Sequence, residues 1–265
     1  EAPHATRVLI SCYMDVPPFS RGAHVSRIIT AIDQTIEQKQ ETSRALSLLE
    51  FCQQILEKLM LLHNQSSYYL VRIEGEMVAE RPNRVNGGVS SKPHEILSEI
   101  RWEDGSVHTR MGIRTKVCMA CPQAQAVIRY NVVRRLEVSF DSAQIAQIEE
   151  SVPLPSHNQL GIADIWIEIP SDLSDVPTFD ELLDTIEESA SSPTYEYLKR
   201  PDEGAAVEEL HGKPRFVEDS TREFYKLFAT KFPQLPDEIE VDVTIVNYES
   251  TFEYALEAHS TKRLG

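Results

Sequence analysis

The chain has 265 residues, 41% of them hydrophobic and 26% charged, enough for one large domain or two small ones with a sizeable core. Its formal net charge of −16 argues against sequence-independent nucleic-acid binding, which needs clustered Lys and Arg, but leaves room for a small anionic substrate in a locally basic pocket. No apolar run reaches the ~18 residues of a membrane span, the opening EAPHATRVLI has neither the basic nor the apolar part of a secretory signal, and Cys12, Cys52, Cys118 and Cys121 are too few for a disulfide scaffold; no membrane association and a reducing, cytoplasmic setting are expected.

In chain order, ATRVLISCYMDV is β-branched and apolar and predicts a strand that Pro17 and Pro18 end. GAHVSRIITAIDQTIEQ has apolar residues at helical spacing. ETSRALSLLEFCQQILEKLMLLHNQ is a stronger amphipathic helix with Cys52 on its apolar side. SSYYLVRIEGEMVAE returns to strand character, and residues 81–93, with Pro, Asn and a Gly pair, read as a loop. HEILSEIRWEDGSVHTRMGIRTKVC predicts a hairpin turning at Asp104-Gly105. SFDSAQIAQIEES predicts a short helix, VPLPSHNQ a loop and GIADIWIEIP a strand. TFDELLDTIEESA opens on a capping-box pair, Thr178 and Glu181, and predicts a helix, as does DSTREFYKLFATKF. EIEVDVTIVNYES and TFEYALEA close the chain as strands. The order suggests one α+β chain of two similar halves, about 1–125 and 156–260, joined by an insertion.

The stretch KVCMACPQAQ places Cys118 and Cys121 three residues apart, with Pro122 directly after. A closed zinc site needs a second C-x-x-C or a His pair, and neither is present. A redox pair sits at a helix start in a thioredoxin-like setting, which the neighbouring strands do not match. The pair then reads either as two small packed hydrophobes or as part of an open metal site whose other ligands come from distant segments. His157 in PSHNQLG, and Asp202 and Glu203 in KRPDEGAAVEE, could complete such a site. Taken singly, a loop His reads as a surface residue. Acids after Lys-Arg-Pro read as a helix N-terminus, where they favour the dipole.

VPPFSRGAHVSRI, CPQAQ, SHNQ, SSPTYEYLKRPDE, KPRFVEDSTRE and NYES occur in that order, and together they resemble the type IB GTP cyclohydrolases over about residues 6–258. The resemblance implies the tunnelling fold: tandem ββαα-type units forming an antiparallel sheet with helices on one face, assembled as an oligomeric barrel. A homotetramer or homodimer is expected. It implies GTP as the substrate, opened at its imidazole ring with release of formate to give a dihydroneopterin phosphate for folate or methanopterin biosynthesis. One divalent metal per subunit (Fe2+, Mn2+ or Zn2+) would lower the pKa of the attacking water. Carried over by motif, the metal ligands are Cys121, His157 and Glu203, with Cys118 a neighbour. Glu218 of FVED matches the anchor for the guanine edge, where a carboxylate accepts from the ring N–H and the exocyclic amine. Glu249 of NYES matches another active-site acid, and His24 and Arg27 match a motif near the active site, Arg27 being suited to the triphosphate. Arg21, Lys199 and Arg200 would add local positive charge.

The sequence departs from the family pattern at three positions. Phe252 stands where the family has a proton-transferring His, Leu160 where it has Arg, and Gln123 where it has a second Cys. His211 or His259 could take over the proton transfer; the alternative is a divergent paralogue that binds a purine or pterin without this turnover. About 35 residues separate Cys121 from His157, a spacing that resembles the archaeal, iron(II)-dependent branch, whose product is a cyclic phosphate.

Overall fold

The structure is a computed structural model that describes residues 7–42, 47–170 and 175–264. Its elements are β1 (Val8–Met14), α1 (Val25–Thr42), α2 (Leu48–Leu62), β2 (Tyr68–Pro82), β3 (Val89–Glu103), β4 (Ser106–Ala120), α3 (Pro122–Leu136), α4 (Ser142–Ser151), β5 (Asn158–Ile169), α5 (Phe179–Ser189), β6 (Ser192–Pro193), α6 (Arg200–Gly212), α7 (Val217–Lys231), β7 (Glu240–Tyr248) and β8 (Ala255–Arg263). The strands form a single antiparallel sheet in the order β1-β2-β3-β4-β5-β7-β8, with β6 paired to β4. The chain is α+β, as expected.

Strand alternation decides which face is covered. On β2, Val71 and Ile73 pack with Cys52, Ile55, Leu56 and Leu59 of α2. Met77 and Ala79, of the same parity on the same strand, join the cluster that holds Leu182, Leu183 and Ile186 of α5 and Phe224 and Phe228 of α7. Both helix groups therefore cover one face. The other face carries charge: Arg72 pairs with Glu99, Arg114 with Asp164 and Glu95, and the guanidinium groups of Arg72 and Arg110 lie over Trp166.

The hairpin turn forms at Asp104 (φ 50°) and Gly105 (φ 82°), consecutive positive-φ residues suited to the twist of a two-residue hairpin loop. Thr178 caps α5 as expected, its Oγ1 accepting from the Glu181 amide. Two expectations change, and one helix had no expectation. Residues 81–93 are not one loop: β2 runs to Pro82 and β3 starts at Val89. Pro93 is tolerated inside β3 because the β3–β4 ladder extends no further than Glu95↔Arg114, leaving β3 an edge there. Residues 251–254 precede β8 rather than belonging to it. The segment after Cys121 forms α3, which has no buried residue and so shows no apolar stripe in the sequence.

Gly112 of β4 sits opposite Trp166 of β5. A Cβ there would lie 2.8 Å from both Ile165 O and Trp166 Cδ2, inside a ladder that cannot yield. Gly112→Ala is expected to destabilise the protein by about 2 kcal/mol, within the usual range for overpacking. Urea unfolding followed by tryptophan fluorescence checks this; an unchanged midpoint would contradict the close approach.

Candidate active site

The central strands bring the Cys121, His157 and Glu249 motifs together at one end of the sheet. β4 ends at Ala120, and its pairing with β5 closes at Ala120↔Asn158, so Cys121 and His157 follow and precede directly paired residues. The Cys121 amide donates to His157 O (3.5 Å), and Ser156 Oγ donates to Cys121 O (2.6 Å). Cys121 is also the N-cap of α3, its Sγ accepting from the Ala124 amide at 3.5 Å, with Pro122 at the helix start, where a missing N–H costs nothing. Cys118 is half-buried and pairs with Leu160 and Ser192; burial pushes its thiol up, away from the thiolate form.

β7 delivers the acid. Tyr248 pairs with Leu160, and the next residue, Glu249, places Oε2 3.7 Å from His157 Nδ1. The Glu249 side chain is 6% exposed and its Oε2 has no hydrogen-bond partner. Ser250 Oγ approaches His157 Nδ1 from the same turn at 3.5 Å. The link from α6 to α7 reaches this end too, since the Arg215 amide donates to Ala120 O at 3.0 Å. Glu218 stands exposed in the first turn of α7.

α6 separates its two acids by role. Asp202 is buried and accepts from the Val85 amide (2.8 Å), the Asn86 amide (3.1 Å) and Asn86 Nδ2 (2.6 Å), fixing the β2–β3 connection. Burial raises its pKa, but these hydrogen bonds outweigh it and hold the carboxyl below the ordinary value. Glu203 is exposed in the first turn, between Asp202 and Gly204, with Lys199 and Arg200 exposed just before it. The last turn of α6 reaches the His157 segment: His211 Nε2 meets Ser156 O (3.2 Å) and Asn158 Oδ1 (3.0 Å). Along the axis, Glu203 lies about 12 Å from His211. Among the described residues, no three His, Cys, Asp or Glu side chains converge at metal-ligand separation. Two soft or borderline donors, Cys121 and His157, are neighbours, with a bare, buried carboxylate oxygen beside the imidazole. That donor chemistry suits zinc or iron(II).

Residues 1–258 match the family described as type I GTP cyclohydrolase folE2. The chain belongs to this family. Its relatives include GTP cyclohydrolase MptA 1 of Methanocella arvoryzae, 31% identical over 90% of this chain and 75% of the relative. GTP cyclohydrolase MptA of Methanothermobacter thermautotrophicus is 32% identical over 96% of this chain and 80% of the relative. Among solved structures, uricase from Arthrobacter globiformis superposes with a TM-score of 0.55 at 8% identity, covering 97% of this chain and 85% of that one. A mutant urate oxidase of Bacillus sp. TB-90 gives 0.53 at 8% identity, over 97% and 86%. The architecture is the tunnelling fold.

Within this GTP cyclohydrolase family member, the departures have definite places. Phe252 is 53% exposed and stacks on Tyr254 (centroids 5.2 Å, 12°), in the loop whose Tyr254 O accepts from the Glu249 amide. Of the two substitute histidines, His211 touches the residues flanking His157. His259 sits beside Thr244 and Asp242, four β7 residues back from Tyr248. Leu160 pairs between Cys118 and Tyr248 and offers no polar group. His24 and Arg27 lie at the opposite end of the sheet, near Met14 and Tyr69, which register with the Trp102 end of β3. β4 alone spans roughly 40 Å between the two ends.

Sequence reasoning gave no role to Lys92, which is buried and donates to Lys116 O (3.0 Å) and Thr194 Oγ1 (2.5 Å). It ties the SSPTYEY segment, which leads into α6, onto β4. Burial lowers its pKa from 10.5 to about 8. Between those values the unfolded chain holds a proton that the folded chain has released, so this residue's contribution to stability rises with pH. The stability difference, wild type minus Lys92→Met, is expected to shift toward wild type by about 2 kcal/mol between about pH 7.5 and about pH 9.5. Urea midpoints at the two pH values measure it, and a pH-independent difference would contradict the burial of an ionisable amine.

Proposed function

We propose that this chain hydrolytically opens the imidazole ring of GTP, releases formate and forms a dihydroneopterin phosphate for pterin biosynthesis. The observation that carries the reading is the β4–β5 register, which sets Cys121 beside His157 with the unpaired Glu249 carboxylate oxygen against the imidazole. The relatives named GTP cyclohydrolase MptA support it, and the spacing of about 35 residues between Cys121 and His157 favours the archaeal branch, with a cyclic phosphate product and iron(II) as the metal.

A divalent metal held by Cys121 and His157, with Glu203 joining from the first turn of α6, which does not converge with them in this structure, would supply a bound water of lowered pKa. The rest falls to the chain's own groups. Glu218, exposed at the start of α7, accepts from the guanine ring N–H and exocyclic amine. Glu249 faces His157 Nδ1 with an unpaired oxygen and holds a proton of the reaction at that carboxylate. His211, fixed at Nε2 by Ser156 O and Asn158 Oδ1, is the imidazole that stands in for the missing family histidine. Lys199 and Arg200 place positive charge beside Glu203. His24 and Arg27 lie too far along the sheet to meet the same nucleotide within one chain, so they serve the site of a second copy in a homotetramer or homodimer. No described helix is long and apolar enough to cross a membrane; a cytoplasmic setting is part of the proposal.

A second reading rests on Phe252, exposed and stacked where the family has its acid–base histidine: a protein that binds a purine or pterin without turnover. Anaerobic incubation with GTP and iron(II), scored for formate, separates the two. Turnover is expected, with Cys121→Ala, His157→Ala and Glu203→Gln each reduced by about 100-fold or more in kcat. Glu218→Gln is expected to raise KM by about tenfold. GTP bound without any formate would favour the second reading.

A further inference from the structure

Beside Glu249 the chain presents two aromatic rings that the core does not use. β7 and β8 pair as far as Tyr248↔Ala255, and one step on the Glu249 amide donates to Tyr254 O at 3.2 Å. Tyr254 therefore stands across from Glu249 and shares its face of the sheet, the face that the helices cover. Carried one step past Leu160↔Tyr248, the β5–β7 register puts Gln159 on the other side of Glu249, and Met119 of β4 pairs with Gln159. The turn folds Phe252 back onto Tyr254, with ring centroids 5.2 Å apart and planes at 12°. Each of these rings is 53% exposed, whereas Phe224 and Phe228, stacked at 5.6 Å and 20°, are wholly buried.

α7 leaves this corner of the sheet open. Its first turns lie over β4, where Ser220 Oγ donates to Met119 Sδ (3.7 Å). Its middle lies over β7 and β8 well back from the turn, where the Tyr225 hydroxyl donates to Val241 O (3.0 Å) and Ser260 O (2.7 Å). The helix crosses the sheet obliquely, so the ends of β7 and β8 at the turn project beyond it. Glu218, exposed in the first turn of α7, bounds the corner on one side, and the Phe252–Tyr254 stack bounds it on the other. Glu249 and His157 lie between them. From Met119 to Tyr254 is three strand spacings, about 14 Å, room for a bicyclic ring with its face on the stack and its edge toward α7.

We propose that the Phe252–Tyr254 stack is the wall on which a flat bicyclic ring, guanine or pterin, lies at this site, and that the pair sets the protein's preference for such rings. Phenylalanine cannot carry a proton, but a planar hydrocarbon ring beside Glu249 offers a π-face to a stacked heterocycle. Two observations favour a small ring over a second copy of the chain as the occupant. The carboxylates at the corner, Glu218 and Glu249, are acceptors, and a 2-amino-oxo heterocycle carries N–H donors around its edge. A second copy would bring its own net charge of −16 against those acids. The choice of GTP as the ring's source rests on the cyclohydrolase reading; the capacity of the stack for a flat heterocycle does not.

Pterin, the bare bicyclic ring, is the probe, because ring opening does not consume it. Bound to the full chain, its ring-proton resonances are expected to move upfield, the ring-current signature of a face laid on an aromatic ring. Phe252→Leu and Tyr254→Leu should each weaken pterin binding by about tenfold and reduce the upfield shift, while Phe252→Trp keeps both. In the formate assay, Phe252→Leu should raise KM for GTP by about tenfold and leave kcat nearly unchanged, a split that general loss of structure does not produce. No pterin binding by wild-type protein, or binding without an upfield shift, overturns the proposal whatever the variants do. An oligomer that Phe252→Leu dissociates, with the pterin resonances unshifted in wild type, assigns the pair to a contact between copies and also overturns it. Formate release with unshifted pterin sinks the stack alone; upfield-shifted pterin that GTP displaces without formate release sinks the cyclohydrolase reading alone.

Discussion

The antiparallel register of β4 on β5 is the constraint on which the site depends. Twelve residue pairs, from Thr109↔Ile169 to Ala120↔Asn158, fix where each strand ends. A slip of one residue would turn every side chain of β5 to the other face and carry Ile165 and Ile167 out of the core. The same slip would part Cys121 from His157. Packing and chemistry are therefore specified together: burial of Met111, Ile113, Val117 and Met119 against α5 and α7 sets the register, and the register sets the donors.

A second constraint acts across the helices. α6 has only two buried residues, Asp202 and Leu210, so apolar burial holds it weakly. Polar ties replace that burial. Asp202 grips the β2–β3 connection, Arg84 pairs with Glu209, Gln125 Nε2 donates to His211 O, and Lys92 anchors the preceding segment at Thr194. Glu203 thus rides on an element positioned by hydrogen bonds, while Cys121 and His157 ride on the ladder. An element held this way has the lower local stability from which moving active-site parts are drawn.

Much of this was legible in the sequence. The strand of β5 follows from its alternation, the hairpin from Asp104-Gly105, and the α5 start from Thr178 and Glu181, because each is a local signal with its own period or turn chemistry. The motif resemblance led to the family and to Cys121, His157 and Glu249, which the fold places at one sheet end. α3 was not legible, since a helix with no buried residue carries no stripe. The extension of β2 and β3 past residue 80 was masked by Pro82 and Pro93, which are tolerated only because the ladder leaves an edge there. Lys92 was invisible because its significance lies in burial and in partners distant in sequence, at Lys116 and Thr194. The separation of His24 and Arg27 from Cys121 is likewise a property of strand length and order, not of any motif.

The most direct test of the central claim is anomalous X-ray scattering at the iron edge from crystals grown anaerobically with iron(II). The account predicts one strong peak per chain within bonding distance of Cys121 Sγ and an imidazole nitrogen of His157. A peak elsewhere, with both side chains unligated, would contradict it.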